Sequence, residues 1–210
     1  MRAADAPQWR LPEAGHVRVG GVFVATPRRE GDAAFAAAVA LVDGRLVESA
    51  VVEGTLDAPY VPGLLALREG RLLAEAVSNL TQRPDVLLVN ASGRDHQRKA
   101  GLALHVGAAL DLPTIGVTDR PLLADGPDPA VERGASAPLL LNGELVGYRL
   151  RTQRSVRPVI VHAAWRVDAE TACAVVLSVS HAGRTPGPLR EARRLARATR
   201  SACESQPRPA

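Results

Sequence analysis

Residues Pro84–Gly107 read PDVLLVNASGRDHQRKAGLALHVG, and residues Leu112–Leu122 read LPTIGVTDRPL. Pro84 precedes a short run, DVLLV, apolar after its aspartate, too brief for a buried helix and right for a buried strand. A polar loop opens at Asn90, and Lys99–Leu110 reads as an apolar helix. Leu112-Pro113 breaks that helix, and Thr114–Val117 (TIGV) is a second short buried strand. Strand, loop, helix and strand within about thirty residues set the fold class as α/β, with polar loops clustered at one edge of a sheet, where open α/β sheets build their sites.

Outward from this window the other elements follow. Val17–Ala25 (VRVGGVFVA) is β-branched and apolar, as a strand should be. Ala33–Val42 (AAFAAAVALV) suits helix by alanine content and strand by its apolar run; the Asp43-Gly44 turn signal before Arg45–Val52 favours strand, turn, strand. Leu65, Leu72, Leu73, Ala76, Val77 and Leu80 form a helical stripe over Leu64–Leu80. Ala137–Leu141 and Glu144–Arg151 flank Asn142-Gly143, the clearest hairpin in the chain. Val156–Val161 reads as a strand, Asp168–Ser180 as a helix with an acidic first turn, and Pro121–Leu123 as the start of a short helix. His105 falls on an apolar helix and is read as core.

The chain has 210 residues, 46% hydrophobic and 23% charged, which suits one packed domain and excludes a disordered chain. No apolar run is long enough for a membrane span. The N-terminus lacks an apolar leader-like stretch, and the two cysteines, Cys173 and Cys203, cannot build a disulfide framework. A reduced, cytoplasmic setting is the expectation. The net charge of +4 is uneven: Arg184–Ala210 carries seven Arg and two Glu, leaving the rest of the chain at −1. Three parts are expected: a loose lead-in over 1–15, one domain over 16–183, and a basic Arg-rich tail over 184–210, suited at most to salt-sensitive phosphate contact.

A third segment, Pro59–Glu69 (PYVPGLLALRE), completes a characteristic series with the two quoted first. In that order and spacing the three segments resemble the endonuclease V family, the deoxyinosine-directed nucleases. The resemblance extends over about residues 17–180. It implies a ribonuclease H-like fold, a mixed central β-sheet flanked by helices. It also implies Mg²⁺ held by carboxylates, a metal-activated water, and cleavage of DNA or RNA one nucleotide 3′ of a hypoxanthine base. Chemically that site needs several hard oxygen ligands and a cation near the phosphate.

Carried over residue by residue, the pattern is broken. Glu69 matches a family carboxylate and is the one candidate metal ligand. Gly21 matches a family Asp in the first strand, and Asn90 another after the DVLLV strand. Asp119 matches a Lys, and Trp165 a His. His96 matches a family His and is the second catalytic candidate. Pro59, Tyr60, Val61 and Pro62 match the strand-separating wedge, Gly63 and Gly93 positions near the base pocket, and Arg98 and Lys99 a basic pair. The expectation is an endonuclease V-like protein that has lost metal-dependent cleavage and keeps nucleic-acid binding, with Mg²⁺ required only if activity survives. Two alternatives stand beside it: an active enzyme with a metal site rearranged onto Glu69, Asp95 and Asp119, and a non-catalytic scaffold or accessory protein.

Overall fold

The computed structural model describes residues 8–27 and 32–205. Within them lie eight strands and four helices: β1 (Val19–Ala25), β2 (Ala34–Val42), β3 (Arg45–Gly54), α1 (Leu65–Ser78), β4 (Val86–Val89), α2 (Leu102–Leu110), β5 (Thr114–Thr118), β6 (Ser136–Leu141), β7 (Glu144–Leu150), β8 (Val159–Ala163), α3 (Ala169–Ser178) and α4 (Gly187–Glu204). One sheet runs in the order β3-β2-β1-β4-β5-β8-β7-β6. The central β1, β4 and β5 are parallel and the outer strands antiparallel, so the sheet is mixed, as expected.

Tight turns decide the ambiguous stretches. Asp43 and Gly44 both take positive φ (50° and 75°), as do Asn142 and Gly143 (52° and 80°). That is the turn geometry that matches the twist of a two-residue hairpin. The alanine-rich run is therefore strand β2, and Ala34–Leu41 is buried throughout because helices cover both faces of the sheet. Leu72, Leu73, Ala76 and Val77 of α1 and Leu102, Ala103 and Val106 of α2 pack against Val22, Val24, Leu87 and Val89 on one face. Ala172, Val175 and Val176 of α3 and Leu189 of α4 pack against Val86, Leu88, Ile115 and Val161 on the other.

Within the expected basic tail, Gly187–Glu204 forms the docked helix α4. Leu189, Ala192 and Ala196 of α4 are buried on β1 and β2, at a spacing that makes one stripe. Burying Leu189 alone contributes about 2 kcal/mol. The arginines of α4 occupy its remaining faces. The lead-in is also partly docked: the Trp9 N–H donates to the Arg166 carbonyl (2.7 Å), and Trp9 and Leu11 pack on the α3 face. Residues 1–7 and 206–210 of the two expected terminal parts lie outside the described residues.

Among the differences from expectation, two elements start three residues late and one short helix does not form. Helix α2 begins at Leu102, because Lys99 takes φ 50° and breaks the helical path. Strand β8 begins at Val159, after Pro158, which has no N–H to donate to a ladder. Pro121–Leu123 forms no helix; its neighbouring N–H groups are drawn to a buried carboxylate, described below. No helix among the described residues is long and apolar enough to cross a membrane.

Candidate functional site

The C-terminal ends of β4 and β5, together with the Pro-rich loop before α1, enclose a cavity of about 550 Å³. Tyr60 and Val61 stand at its edge, 67% and 42% exposed. Two prolines stiffen their loop, and α1 ties it down. Arg68 Nη1 donates to the Ala58 carbonyl (2.8 Å), and Arg71 grips the Asp57 carboxylate (2.8–3.0 Å). Gly63 turns the chain into α1 at φ 77°, a conformation glycine adopts without strain. A Cβ there would point at His96 Nε2, 3.7 Å away.

His96 is buried in the cavity wall. Its Nδ1 accepts the Arg98 N–H (3.2 Å), so the neutral ring carries its proton on Nε2 and presents a donor at Gly63. Arg98 Nη1 reaches the Gly63 carbonyl (3.5 Å) and links the two loops. The opposite wall, Arg120–Leu122, is fixed from behind. Asp95, with no exposure, accepts the N–H groups of Leu122, Leu123 and Ala124 (2.7–2.8 Å). Beside it the buried His162 bonds Thr118 Oγ1 through Nε2 (2.8 Å). Burial holds this imidazole well below its ordinary pKa, so it is neutral at pH 7.

A second cavity, of about 310 Å³, adjoins the first and shares Tyr60, Leu65, Asn90 and Leu102 with it. Phe23, Glu69 and Val89 line it as well. Here a metal site would have to form. Val22 pairs in register with Val89, so one residue on, Asn90 leaves β4 beside Phe23, which is still within β1 and paired with Ala37 of β2. The guanidinium of Arg193 from α4 lies over the Phe23 ring, 5.1 Å from its centre, and its Nη2 donates to Asn90 Oδ1 (3.2 Å). Arg197 lies 5.7 Å from the same ring. Desolvation pushes the Glu69 carboxyl up to about 7, against a weaker opposing pull from Arg68.

This donor set does not fit Mg²⁺, which demands an octahedron of hard oxygens. Glu69 is the one carboxylate there, and its burial favours the neutral form. The Asn90 oxygen is engaged by a cation, Phe23 offers no ligand, and Arg193 repels a metal ion. Among the described residues no three His, Cys, Asp or Glu side chains converge on a common point. The rearranged cluster expected from Glu69, Asp95 and Asp119 is absent: Asp95 is turned into the Leu122–Ala124 backbone, and Asp119 pairs with Arg184. That ion pair, first through its hydrogen bond, together with Arg157 and Arg193, holds the Asp119 carboxyl below its usual range.

Of the candidates, Tyr60, Val61, Gly63, Asn90, His96 and Arg98 share the larger cavity, and Glu69 faces the smaller. Pro59 and Pro62 only flank the wedge. Four others are not in the site. A Cβ at Gly21 would stand 2.4 Å from the Pro188 backbone, so this position admits close packing of α4 and no projecting side chain; Phe23 is the β1 residue beside Asn90. Gly93 lets the loop cross the Ala163 carbonyl, which a Cβ would approach to 2.2 Å. Lys99 is ion-paired with Glu144 of β7, away from the cavity. Trp165 packs at the other end of β5, its indole N–H bonded to Asp111 (3.3 Å), and fills neither cavity. His105, expected in the core, is exposed at the edge of the larger cavity.

A mixed sheet with helices on both faces and a site beyond its parallel strands defines a ribonuclease H-like α/β protein. The family model for endonuclease V matches residues 7–194, and the chain belongs to the endonuclease V family. Endonuclease V of Methanopyrus kandleri is 42% identical over 165 residues, 79% of this chain and 71% of that protein. The crystal structure of Streptomyces avermitilis endonuclease V superposes with a TM-score of 0.87 at 39% identity, covering 96% of this chain and 87% of that one. Ciona intestinalis endonuclease V, solved in complex with a 24mer DNA containing an inosine followed by a ribo-adenosine, shares the fold at a TM-score of 0.77 and 22% identity, covering 90% and 87%.

Proposed function

We propose that this chain binds a hypoxanthine base extruded from DNA or RNA and does not cut the strand beside it. The observation that carries the reading is the contrast between two adjoining cavities. The larger, about 550 Å³, has an exposed aromatic ring at its edge, an imidazole N–H donor in its wall, and room for a flipped base. The smaller, where hydrolysis would need a metal-bound water, holds Phe23, Asn90 and a single carboxyl from Glu69. The inosine-containing DNA bound by the Ciona protein supports the choice of base.

Labelled DNA and RNA duplexes carrying one hypoxanthine, incubated with the protein and Mg²⁺ or Mn²⁺, test this directly. The expected outcome is a retarded, uncut complex that adenine-containing strands displace poorly. Single-site cutting that Glu69→Ala abolishes would overturn it.

A further inference from the structure

The same substitutions that spoil a metal site complete a different one. Arg193 is projected from α4, which Leu189, Ala192 and Ala196 anchor in the core. The Phe23 ring beneath the guanidinium holds it by cation–π attraction and adds no charge. Asn90 accepts one of its N–H groups and, being an amide, leaves the positive charge intact. An aspartate at either position would cancel that charge. Arg193 Nε is buried without a partner, and among the described residues Nη1 donates to none. The planar fork therefore has donors to spare, and Arg197 adds a second cation over the same ring. Asp119, the nearby negative charge, is already paired with Arg184. Arg193 itself lines neither cavity, but Asn90 lines both, so the guanidinium is one hydrogen bond away from a wall of the larger.

We propose that Arg193, seated between Phe23 and Asn90, is a built-in cation that holds a backbone phosphate of the bound strand, so that this chain grips nucleic acid without a divalent ion. The proposal rests on reading the larger cavity as a base pocket. It assigns the phosphate next to that base to the guanidinium.

Fluorescence anisotropy with two labelled oligonucleotides, one carrying a single hypoxanthine and one adenine in its place, tests it. Affinity is expected to be the same in EDTA and in Mg²⁺, within about two-fold. Arg193→Ala should weaken both complexes about ten-fold and lower the slope of log affinity against log salt by about one. Arg193→Gln, which removes the charge but keeps a polar amide on a shorter stem, should do the same should the alanine variant fold poorly. Calorimetric titration with Mn²⁺ alone should show no saturable binding. Divalent-dependent affinity, a saturable Mn²⁺ site, or variants with unchanged affinity and salt slope would each overturn the proposal. Equal affinity for the two oligonucleotides, with Arg193 dependence intact, would overturn the base-pocket reading and leave the phosphate seat standing. Failure to bind either oligonucleotide would remove both.

Discussion

The carboxylate of Asp95 accepts the Leu122 N–H at 2.7 Å inside the protein, closed off from solvent. Its other oxygen takes the N–H groups of Leu123 and Ala124. Three donors converge on one buried anion, and this is what fixes the wall formed by residues 120–122. Asp95→Asn would turn an amide N–H₂ toward at least one N–H it cannot accept. Unfolding in urea should show a loss of about 2–3 kcal/mol, since charge-assisted bonds to a buried group are the costly ones to lose. A stability unchanged within about 0.5 kcal/mol would mean that the wall holds without this carboxylate.

Tyr60 is the reverse case. At 67% exposure its ring contributes little to folding, yet it stands at the edge of the base-sized cavity. Tyr60→Ala should leave the melting temperature within a degree or two and weaken hypoxanthine-oligonucleotide binding by about 1–3 kcal/mol, the usual worth of one base–aromatic stack. Tyr60→Phe should bind like the parent, because stacking needs the ring and not the hydroxyl. Anisotropy on the three proteins separates these outcomes.

What was readable in the sequence was local. Asp43-Gly44 settled β2 and β3, Asn142-Gly143 settled β6 and β7, and the wedge with Gly63, His96 and Arg98 came from contiguous motifs whose residues do meet. What was not readable depends on packing at a distance. Arg193 meets Asn90 across 103 positions of chain, and only the docking of α4 brings them together. Counting charges makes that helix part of a basic tail, whereas its stripe of Leu189, Ala192 and Ala196 is what docks it. Motif matching points to Gly21, because only strand register identifies Phe23 as the neighbour of Asn90. Asp95 looked like a loop carboxylate free to bind metal; its three backbone partners appear only in the folded chain.

That register makes the missing metal site a constructible one. Position 90 leaves β4 beside position 23 of the parallel neighbour β1, and Glu69 lines the same cavity as both. The variant Phe23→Asp, Asn90→Asp, Arg193→Ala replaces a fixed cation with two further carboxylates. Calorimetry should detect Mn²⁺ binding with Kd of about 10⁻⁴–10⁻³ M, where the parent shows none. Asn90→Asp alone should bind no metal, because its carboxylate would pair with Arg193. A triple variant that folds yet fails to bind Mn²⁺ would show that the geometry, and not only the ligand set, has changed.

Glu69 links this site to stability. Its folded pKa is raised from 4.5 to about 7 by desolvation, so the folded state holds a proton that the unfolded chain releases between those values. The folded state thus binds more protons in that window, and stability must fall as pH rises from about 4.5 to about 7. Below the window the carboxyl is neutral in both states and exerts no penalty; above it the penalty is complete. With Glu69 only partly buried, the magnitude is on the order of 2 kcal/mol. Glu69→Gln removes the titrating group and keeps the shape. Urea unfolding at pH 5 and pH 8 should show the variant more stable than the parent at pH 8 and nearly equal at pH 5. The mirror case, His162, is buried neutral below its ordinary pKa and costs stability as pH falls through 6.5, so it runs in the opposite direction and remains in both proteins. The difference between parent and Gln variant therefore isolates Glu69. A difference that does not change with pH would mean that this carboxyl is solvated and ionised throughout.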